Sequence, residues 1–286
     1  MLLIRADAGP QIGLGHVMRC VAIAEAWRRA GDSVAFVSHD PPRDLRDRLQ
    51  QLGCECHAAG PVPGGDQDAT ECSRLARALG ARWVVVDGYH FGDRYQRQLK
   101  EAGLRILAVD DHGHAAHYWA DLVLNQTEGT DPARYANRES YTRLLLGAQY
   151  VLLRREFLKW RDWQRPIPQT ARRALVTLGG SDFENVTRKI MEGWPGSEAL
   201  PLETTLVIGP GNPHRAALEA AARAHPAMRV VCAPPNLPEL MAEADLGVTA
   251  GGITAWEMAF MGLPQLTIIL AENQRANAGR IQAEGA

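Results

Sequence analysis

The chain has 286 residues, 46% of them hydrophobic and 22% charged, a composition ordinary for a globular protein and a length too great for most single open α/β domains. A formal net charge of −2 offers no broad basic stripe for a nucleic-acid backbone, which excludes that class of partner but not a small phosphorylated ligand. Five cysteines, at 20, 54, 56, 72 and 232, form no CxxC pair and read as reduced packing residues; Met1-Leu2-Leu3-Ile4 runs at once into Arg5 and Asp7, too soon for a signal peptide, and no apolar run approaches the about 18 residues of a membrane span, so a cytoplasmic protein with no membrane partner is expected.

Apolar runs of strand length alternate with amphipathic stretches. Leu2–Ala6, Ser33–Ser38, Trp83–Asp87, Leu104–Asp110, Asp121–Asn125 and Leu144–Ala148 come first, and continuous Val/Ile/Leu runs of this kind predict parallel strands covered on both faces. The connection Val17 to Arg28 shows the helical period, with Val17, Cys20, Val21, Ala24 and Trp27 along one stripe. From Arg154 to Thr170 the pattern fails in a charged, aromatic and proline-punctuated stretch, the expected interdomain connection. Alternation then resumes with Arg173–Leu178, Thr204–Ile208, Met228–Cys232, Asp245–Thr249 and Pro264–Leu270. The expected architecture is α/β, two Rossmann-like domains over residues 1–153 and 171–286, joined by a linker at 154–170.

Three strand-to-helix loops carry the candidate chemistry. The first, Gly9-Pro10-Gln11-Ile12-Gly13-Leu14-Gly15-His16, opens into a helix; its glycines and helix-start amides suit an anion, or equally a plain tight turn, since the third glycine of a dinucleotide fingerprint is missing. His16 stands at the positive end of that helix, where a neutral imidazole able to accept a proton is favoured; its competing reading is a capping or packing residue. The second loop, Thr177 to Asn185, presents Gly180 and Ser181 beside a helix start, with Ser181 or Asp182 as a simple N-cap in the alternative. In the third, Gly251, Gly252, Ile253 and Thr254 precede Glu257, a carboxylate suited to a ribose or, more plainly, to a solvated helix face. Asn273 and Gln274 offer amides for hydroxyl groups. Asp87 and Tyr89 follow a strand end, Asp87 to orient a catalytic group or water and Tyr89 to touch substrate, unless they serve packing and the turn. The cluster Asp110, Asp111, His112, His114 and His117 has metal-ligand residue types without ligand spacing, and no metal or cofactor is expected there.

With these residues in order, the sequence resembles the UDP-sugar hydrolases of pseudaminic acid biosynthesis and the related spore-coat polysaccharide proteins, a branch of the GT-B superfamily. Four stretches carry the resemblance over nearly the whole chain: Arg5-Ala6-Asp7 with Ile12 to Cys20; Val109-Asp110-Asp111 with Asp121 to Gln126; Tyr150 to Phe157; and Leu178 to Ser181 through Ala271-Glu272-Asn273-Gln274. The resemblance implies two Rossmann-like domains facing a central cleft, with UDP held by the second. It implies inverting hydrolysis of a UDP-activated diacetamido-trideoxy sugar, releasing UDP and free sugar without a required metal. The family's catalytic histidine falls on His16; Asp87 and Tyr89 join it as candidates only from their place at the strand end. Substrate contacts would come from Arg5, Asp7, Gly13, Leu14, Gly15 and Arg19 in the first domain. In the second they would come from Gly180, Ser181, Asn185, Gly251, Gly252, Ile253, Thr254, Glu257, Asn273 and Gln274.

Two departures bear on this. Ile253 stands where the family commonly has serine, removing a hydroxyl from the nucleotide loop, and Arg155 replaces a frequent proline. GT-B proteins usually continue beyond the equivalent of Ala286 through further helices, so a shortened second domain is expected. The competing readings are a glycosyltransferase using the same UDP-sugar, a UDP-sugar epimerase, and a catalytically silent UDP-sugar-binding protein. The choice among diacetamido and monoacetamido sugars, and the oligomeric state, stay open at this level.

Overall fold

The computed structural model describes residues 1–8, 15–39, 41, 43–60, 62–127, 129–194, 202–283 and 285. The chain divides into two compact units, Met1–Arg154 and Arg155–Ala286. In the first, β1 (Leu2–Ala6), α1 (Gly15–Arg29), β2 (Val34–Ser38), α2 (Arg43–Gln51), β3 (Glu55–Ala58), α3 (Asp66–Ala78), β4 (Trp83–Asp87), α4 (Asp93–Glu101), β5 (Arg105–Val109), β6 (Leu122–Asn125) and β7 (Arg143–Leu146) follow in order. The strands build a parallel sheet in the order β3-β2-β1-β4-β5-β6-β7. The α/β class with parallel sheets read from the sequence is the class of the structure.

Both faces of this sheet are covered, which is why its strands read as unbroken apolar runs. Along β4, Val84 and Val86 enter one core with Leu3, Leu99 and Tyr95, while Val85 turns to the other with Ile4, Val17, Cys20 and Val21. The stripe Val17, Cys20, Val21 and Ala24 is fully buried, so α1 lies flat on the sheet. β3 escaped the sequence reading for a physical reason. It is an edge strand, Glu55-Cys56-His57-Ala58, whose side chains are all at least partly exposed, so no apolar run marks it.

The second unit repeats the plan with β8 (Arg173–Thr177), α5 (Val186–Gly193), β9 (Glu203–Ile208), α6 (Arg215–Ala222), β10 (Met228–Cys232), α7 (Leu237–Glu243), β11 (Leu246–Ala250), α8 (Ile253–Phe260), β12 (Gln265–Ile268) and α9 (Arg275–Ala283). Its parallel sheet runs β10-β9-β8-β11-β12. The stretch at 154–170 contains a 3₁₀ turn, Arg155–Trp160, whose Phe157 is fully buried. Arg165 donates to the carbonyls of Met241, Ala244 and Met261 at 2.7, 2.6 and 3.0 Å, tying this stretch to the second unit. Among the described residues no helix is long and apolar enough to cross a membrane.

Strand order reverses between β1 and β4 in the first sheet and between β8 and β11 in the second. At such a switch point the loops leaving the carboxyl ends diverge and leave a crevice, the usual ligand position of open α/β sheets. Central position makes β1 the critical strand. Ile4, 0% exposed and in register with Phe36 and Val85, is expected on mutation to Ala to cost the first unit about 2–5 kcal/mol in urea denaturation. A loss below about 1 kcal/mol would mean that this core is not close-packed around β1.

Candidate functional site

The switch point of the first unit gathers residues from α1 and from the loops after β4 and β5. On α1, His16, Arg19 and Cys20 are spaced three and four apart and share one face. All three reach Asp87, the last residue of β4, which is 0% exposed. His16 Nδ1 lies 2.6 Å from Asp87 Oδ1. Arg19 donates from Nε to Oδ2 at 2.6 Å and from Nη2 to Oδ1 at 2.7 Å, a bidentate fork. The Cys20 thiol donates to Oδ2 at 3.4 Å.

Burial by itself would push the Asp87 carboxyl up, but the charge of Arg19 and the hydrogen bonds from Arg19 and His16 hold it well below the usual carboxylate range. Burial and the Asp87 charge push the Cys20 thiol well up, so it stays a protonated donor. An ionised Asp87 can only accept, and the Nδ1 of His16 must therefore carry its proton toward it. That leaves Nε2 as the acceptor nitrogen, and among the described residues it holds no hydrogen bond. A histidine held in one tautomer by a buried carboxylate, with its other nitrogen open, is the arrangement of a general base.

Gly88, with φ of 153°, turns the chain after Asp87; a Cβ there would stand 2.9 Å from His90 Cε1 and 3.1 Å from Phe91 Cε2. The turn delivers Tyr89 edge-on to His16, ring centroids 5.1 Å apart, with its hydroxyl donating to Asp111 Oδ2 at 2.8 Å. His112 packs on the tyrosine ring at 4.6 Å and His114 at 5.7 Å. Asp110 shapes their loop by accepting from the backbone of His112 and Gly113, each at 2.7 Å, and from the Tyr118 hydroxyl. His114 Nδ1 lies 2.9 Å from Asp110 Oδ2 but off the line of a hydrogen bond. Among the described residues no group of three or more His, Cys, Asp or Glu is arranged for a metal ion.

The structure thus brings His16, Arg19, Asp87 and Tyr89 together, and adds Asp111, His112 and His114, whose sequence signal was the acidic strand end set aside above. Arg5 and Asp7 are engaged with partners inside the first unit. Arg5 is 0% exposed and spends Nε and Nη2 on Asp68 at 3.1 and 3.0 Å and Nη1 on Asp7; Asp7, 2% exposed, also accepts from the His39 backbone at 2.6 Å and from His90 Nε2 at 2.9 Å. They form a buried ion-pair network bracing the end of β1, with no side chain presented to a ligand. Gly15 is the first residue of α1, while Gly13 and Leu14 lie outside the described residues.

In the second unit the loops after β8 and β11 flank the switch point. Asp182 accepts from the backbone N–H of Val186 at 2.8 Å and of Thr187 at 2.9 Å, so the first amides of α5 are already capped. Gly180 and Ser181 are half-buried, the Gly180 carbonyl taking the Gly211 N–H at 2.9 Å, and Asn185 sits in the left-handed region at φ of 52°. By contrast Gly252 at the N-cap of α8 gives no side-chain cap, and Ile253 and Thr254 of the first turn are half-buried. A Cβ on Gly251 would stand 2.9 Å from the Gln274 carbonyl, so this loop is pressed against the turn at Glu272–Gln274. The Gln274 side chain accepts the Leu270 N–H at 3.0 Å; the Asn273 side chain lies outside the described residues. Glu257 is 0% exposed and engaged in interactions of its own, which corrects its reading as a solvated helix carboxylate.

No family model matches the sequence. Whole-protein similarity is low but nearly full-length. The chain is 23% identical to the uncharacterised protein MJ1062 of Methanocaldococcus jannaschii over 96% of its own length, and spans only 56% of that protein. It is 23% identical to the spore coat polysaccharide biosynthesis protein SpsG of Bacillus subtilis, covering 99% of this chain and 81% of that one. With the UDP-2,4-diacetamido-2,4,6-trideoxy-beta-L-altropyranose hydrolase of Campylobacter jejuni it shares 22% identity over 99% of this chain and 97% of the other. Among solved structures, MurG of Acinetobacter baumannii matches with a TM-score of 0.63 at 17% identity, covering 100% of this chain and 84% of that one. Anabaena HepE, in complex with UDP and glucose, matches with a TM-score of 0.51 at 12% identity over 99% and 89%.

The fold is accordingly that of the GT-B glycosyltransferases, two α/β units with parallel sheets. Within that class the chain is similar, at 22–23% identity over nearly its whole length, to SpsG of Bacillus subtilis and to the UDP-diacetamido-trideoxy-altropyranose hydrolase of Campylobacter jejuni.

The buried carboxylates make the first unit sensitive to acid. Asp7, pushed up by burial but held down by hydrogen bonds from His90 and Arg5, and Asp110, likewise pushed up by burial but held down by His114 and Tyr118, both lie with Asp87 well below the usual range. A carboxylate whose folded pKa is depressed contributes stability that is complete above its unfolded value of about 4 and is lost as the pH falls toward its folded value. The urea midpoint of the first unit is expected to hold between about pH 7 and 5 and to fall steadily from about pH 4 to 2.5. An unchanged midpoint at pH 2.5 would mean that these carboxylates are not paired as described.

Proposed function

We propose that this chain hydrolyses a UDP-activated diacetamido-trideoxy sugar, releasing UDP and the free sugar with inversion at the anomeric carbon. The observation that carries the reading is the His16–Asp87 pair at the first switch point, with Nδ1 committed to Asp87 and Nε2 left to accept. In the proposed reaction Nε2 takes a proton from water as its oxygen bonds to the anomeric carbon, and the bond from that carbon to the diphosphate oxygen breaks. UDP departs as an anion and needs no proton of its own. The imidazolium formed is balanced by Asp87, which stays ionised. Tyr89, edge-on to His16 and partly exposed, is assigned to the sugar.

The diphosphate is assigned to the second unit. Of its two glycine loops, the one after β11 suits an anion better, because α8 has no side-chain cap whereas α5 already holds the Asp182 carboxylate. Gly251, Gly252, Ile253 and Thr254 are the proposed phosphate contacts, binding through backbone amides, so the serine-to-isoleucine departure costs only a hydroxyl. Gly180, Ser181 and Asn185 are assigned to the same ligand's periphery, with Gln274 holding the loop in place. What supports a nucleotide sugar over other anions is the full-length relationship to a protein named as a UDP-sugar hydrolase, and the UDP complex formed by a neighbour of the same fold. A glycosyltransferase remains the second reading, favoured by the fold of the solved neighbours.

The test is incubation with UDP-2,4-diacetamido-2,4,6-trideoxy-β-L-altropyranose and no acceptor, following UDP release and anomeric configuration by NMR. Wild type is expected to release UDP with the inverted sugar, and His16→Ala to lose at least ~10²-fold in kcat. Retained UDP binding without release would favour the transferase, and an undiminished His16→Ala rate would remove His16 from the mechanism.

A further inference from the structure

We propose that Arg19 is a positioning residue that touches no substrate and instead clamps, with one guanidinium, the two carboxylates that orient the site's two reacting-side groups: Asp87 behind His16 and Asp111 behind Tyr89. The inference rests on the reading of His16 as the base, and it assigns to Asp111 the orientation of Tyr89.

The donor count carries it. An arginine has five N–H donors in a rigid fork. Nε and one N–H of Nη2 go to Asp87 at 2.6 and 2.7 Å, while Nη1 and the second N–H of Nη2 go to Asp111 at 2.5 and 3.1 Å. Four of five donors are therefore spent on carboxylates, and the residue is only 6% exposed, which leaves little with which to bind a ligand. Each carboxylate in turn holds one group of the site, Asp87 the imidazole at 2.6 Å and Asp111 the phenol at 2.8 Å. His16 and Tyr89 come from different elements, a helix and a strand-end loop, yet their relative placement is fixed through a single planar group. A lysine could not do this, since one ammonium cannot span two carboxylates with parallel bonds.

The geometry also explains a close contact that is not a bond. Arg19 Nη2 lies 3.2 Å from His16 Nδ1, and both are donors. Asp87 Oδ1 accepts from each of them and keeps them apart, so loss of the fork frees Asp87 to rotate and releases the imidazole from its tautomer. A residue that merely neutralised buried charge would tolerate lysine; one that bound substrate would act on KM.

The experiment compares Arg19→Lys and Asp111→Asn with wild type in three measurements: kcat and KM for UDP-sugar hydrolysis, UDP affinity by calorimetry, and the His16 ring by nitrogen-15 NMR in substrate-free protein. Asp111→Asn leaves the Asp87 fork intact and so remains informative should Arg19→Lys fail to fold. Both variants are expected to lose about 10–10²-fold in kcat while KM and the UDP Kd stay within about threefold. In the NMR arm Arg19→Lys is expected to mix the His16 tautomers, and Asp111→Asn to retain the Nδ1–H form. A raised KM or UDP Kd with kcat preserved would overturn the proposal in favour of substrate contact, and a lysine variant with wild-type kcat and tautomer would reduce Arg19 to charge balance. Should wild type itself release no UDP, the proposed reaction fails, while the tautomer measurement still decides whether Arg19 sets the imidazole.

Discussion

A carboxylate with no exposure to water has to be matched by donors or it is not tolerated, and Asp87 is where this constraint shapes the first unit. Its four donors all come from one face of α1, so the helix can sit on the sheet in only one rotation and one register. The adjoining apolar stripe of the same helix contributes Val17, Val21 and Ala24 to the core, with Cys20 at the border of the two. Core packing and site geometry are thus two consequences of one docking event. A change that lifts α1 from the sheet would misplace His16 before it disturbed any contact with a ligand.

The two units solve the same topological problem with different chemistry. Each sheet reverses its strand order about a central pair, β1 with β4 and β8 with β11, and each opens its crevice at the carboxyl ends of that pair. In the first unit the ends carry titratable groups, His16 on one side and Asp87 on the other. In the second they carry glycines, Gly179 and Gly180 after β8 and Gly251 and Gly252 after β11. Side chains that move protons belong to the first set, and backbone amides that tolerate close approach belong to the second.

What the sequence disclosed follows from the same physics. Strands buried on both faces, such as Val84-Val85-Val86, announce themselves as apolar runs, whereas Glu55-Cys56-His57-Ala58 pairs on one side only and carries no such mark. His16 was legible at the helix start after β1, and Asp87 at the carboxyl end of β4. Their pairing was not, since 71 residues separate them and only the parallel register of β1 with β4 brings them together. The direction of Arg5 was not legible, because proximity to a motif says nothing about it: strand alternation turns the side chain into the core beside Asp68, a partner 63 residues away. Asp111 was passed over because an acidic pair at a strand end looks alike whether it faces water, a metal or an arginine.

Charge bookkeeping within the first site separates its task from that of the second. Asp87 and Asp111 share the single charge of Arg19, so the group carries one surplus negative charge while His16 is neutral and none once His16 has taken a proton. Asp110, also ionised, immediately precedes Asp111. Such a field favours a proton arriving at the imidazole and opposes a diphosphate beside it. The uncapped start of α8 in the second unit is the more favourable place for an anion. Under the proposed reaction, substitutions around His16 should therefore alter turnover, and substitutions at the start of α8 affinity.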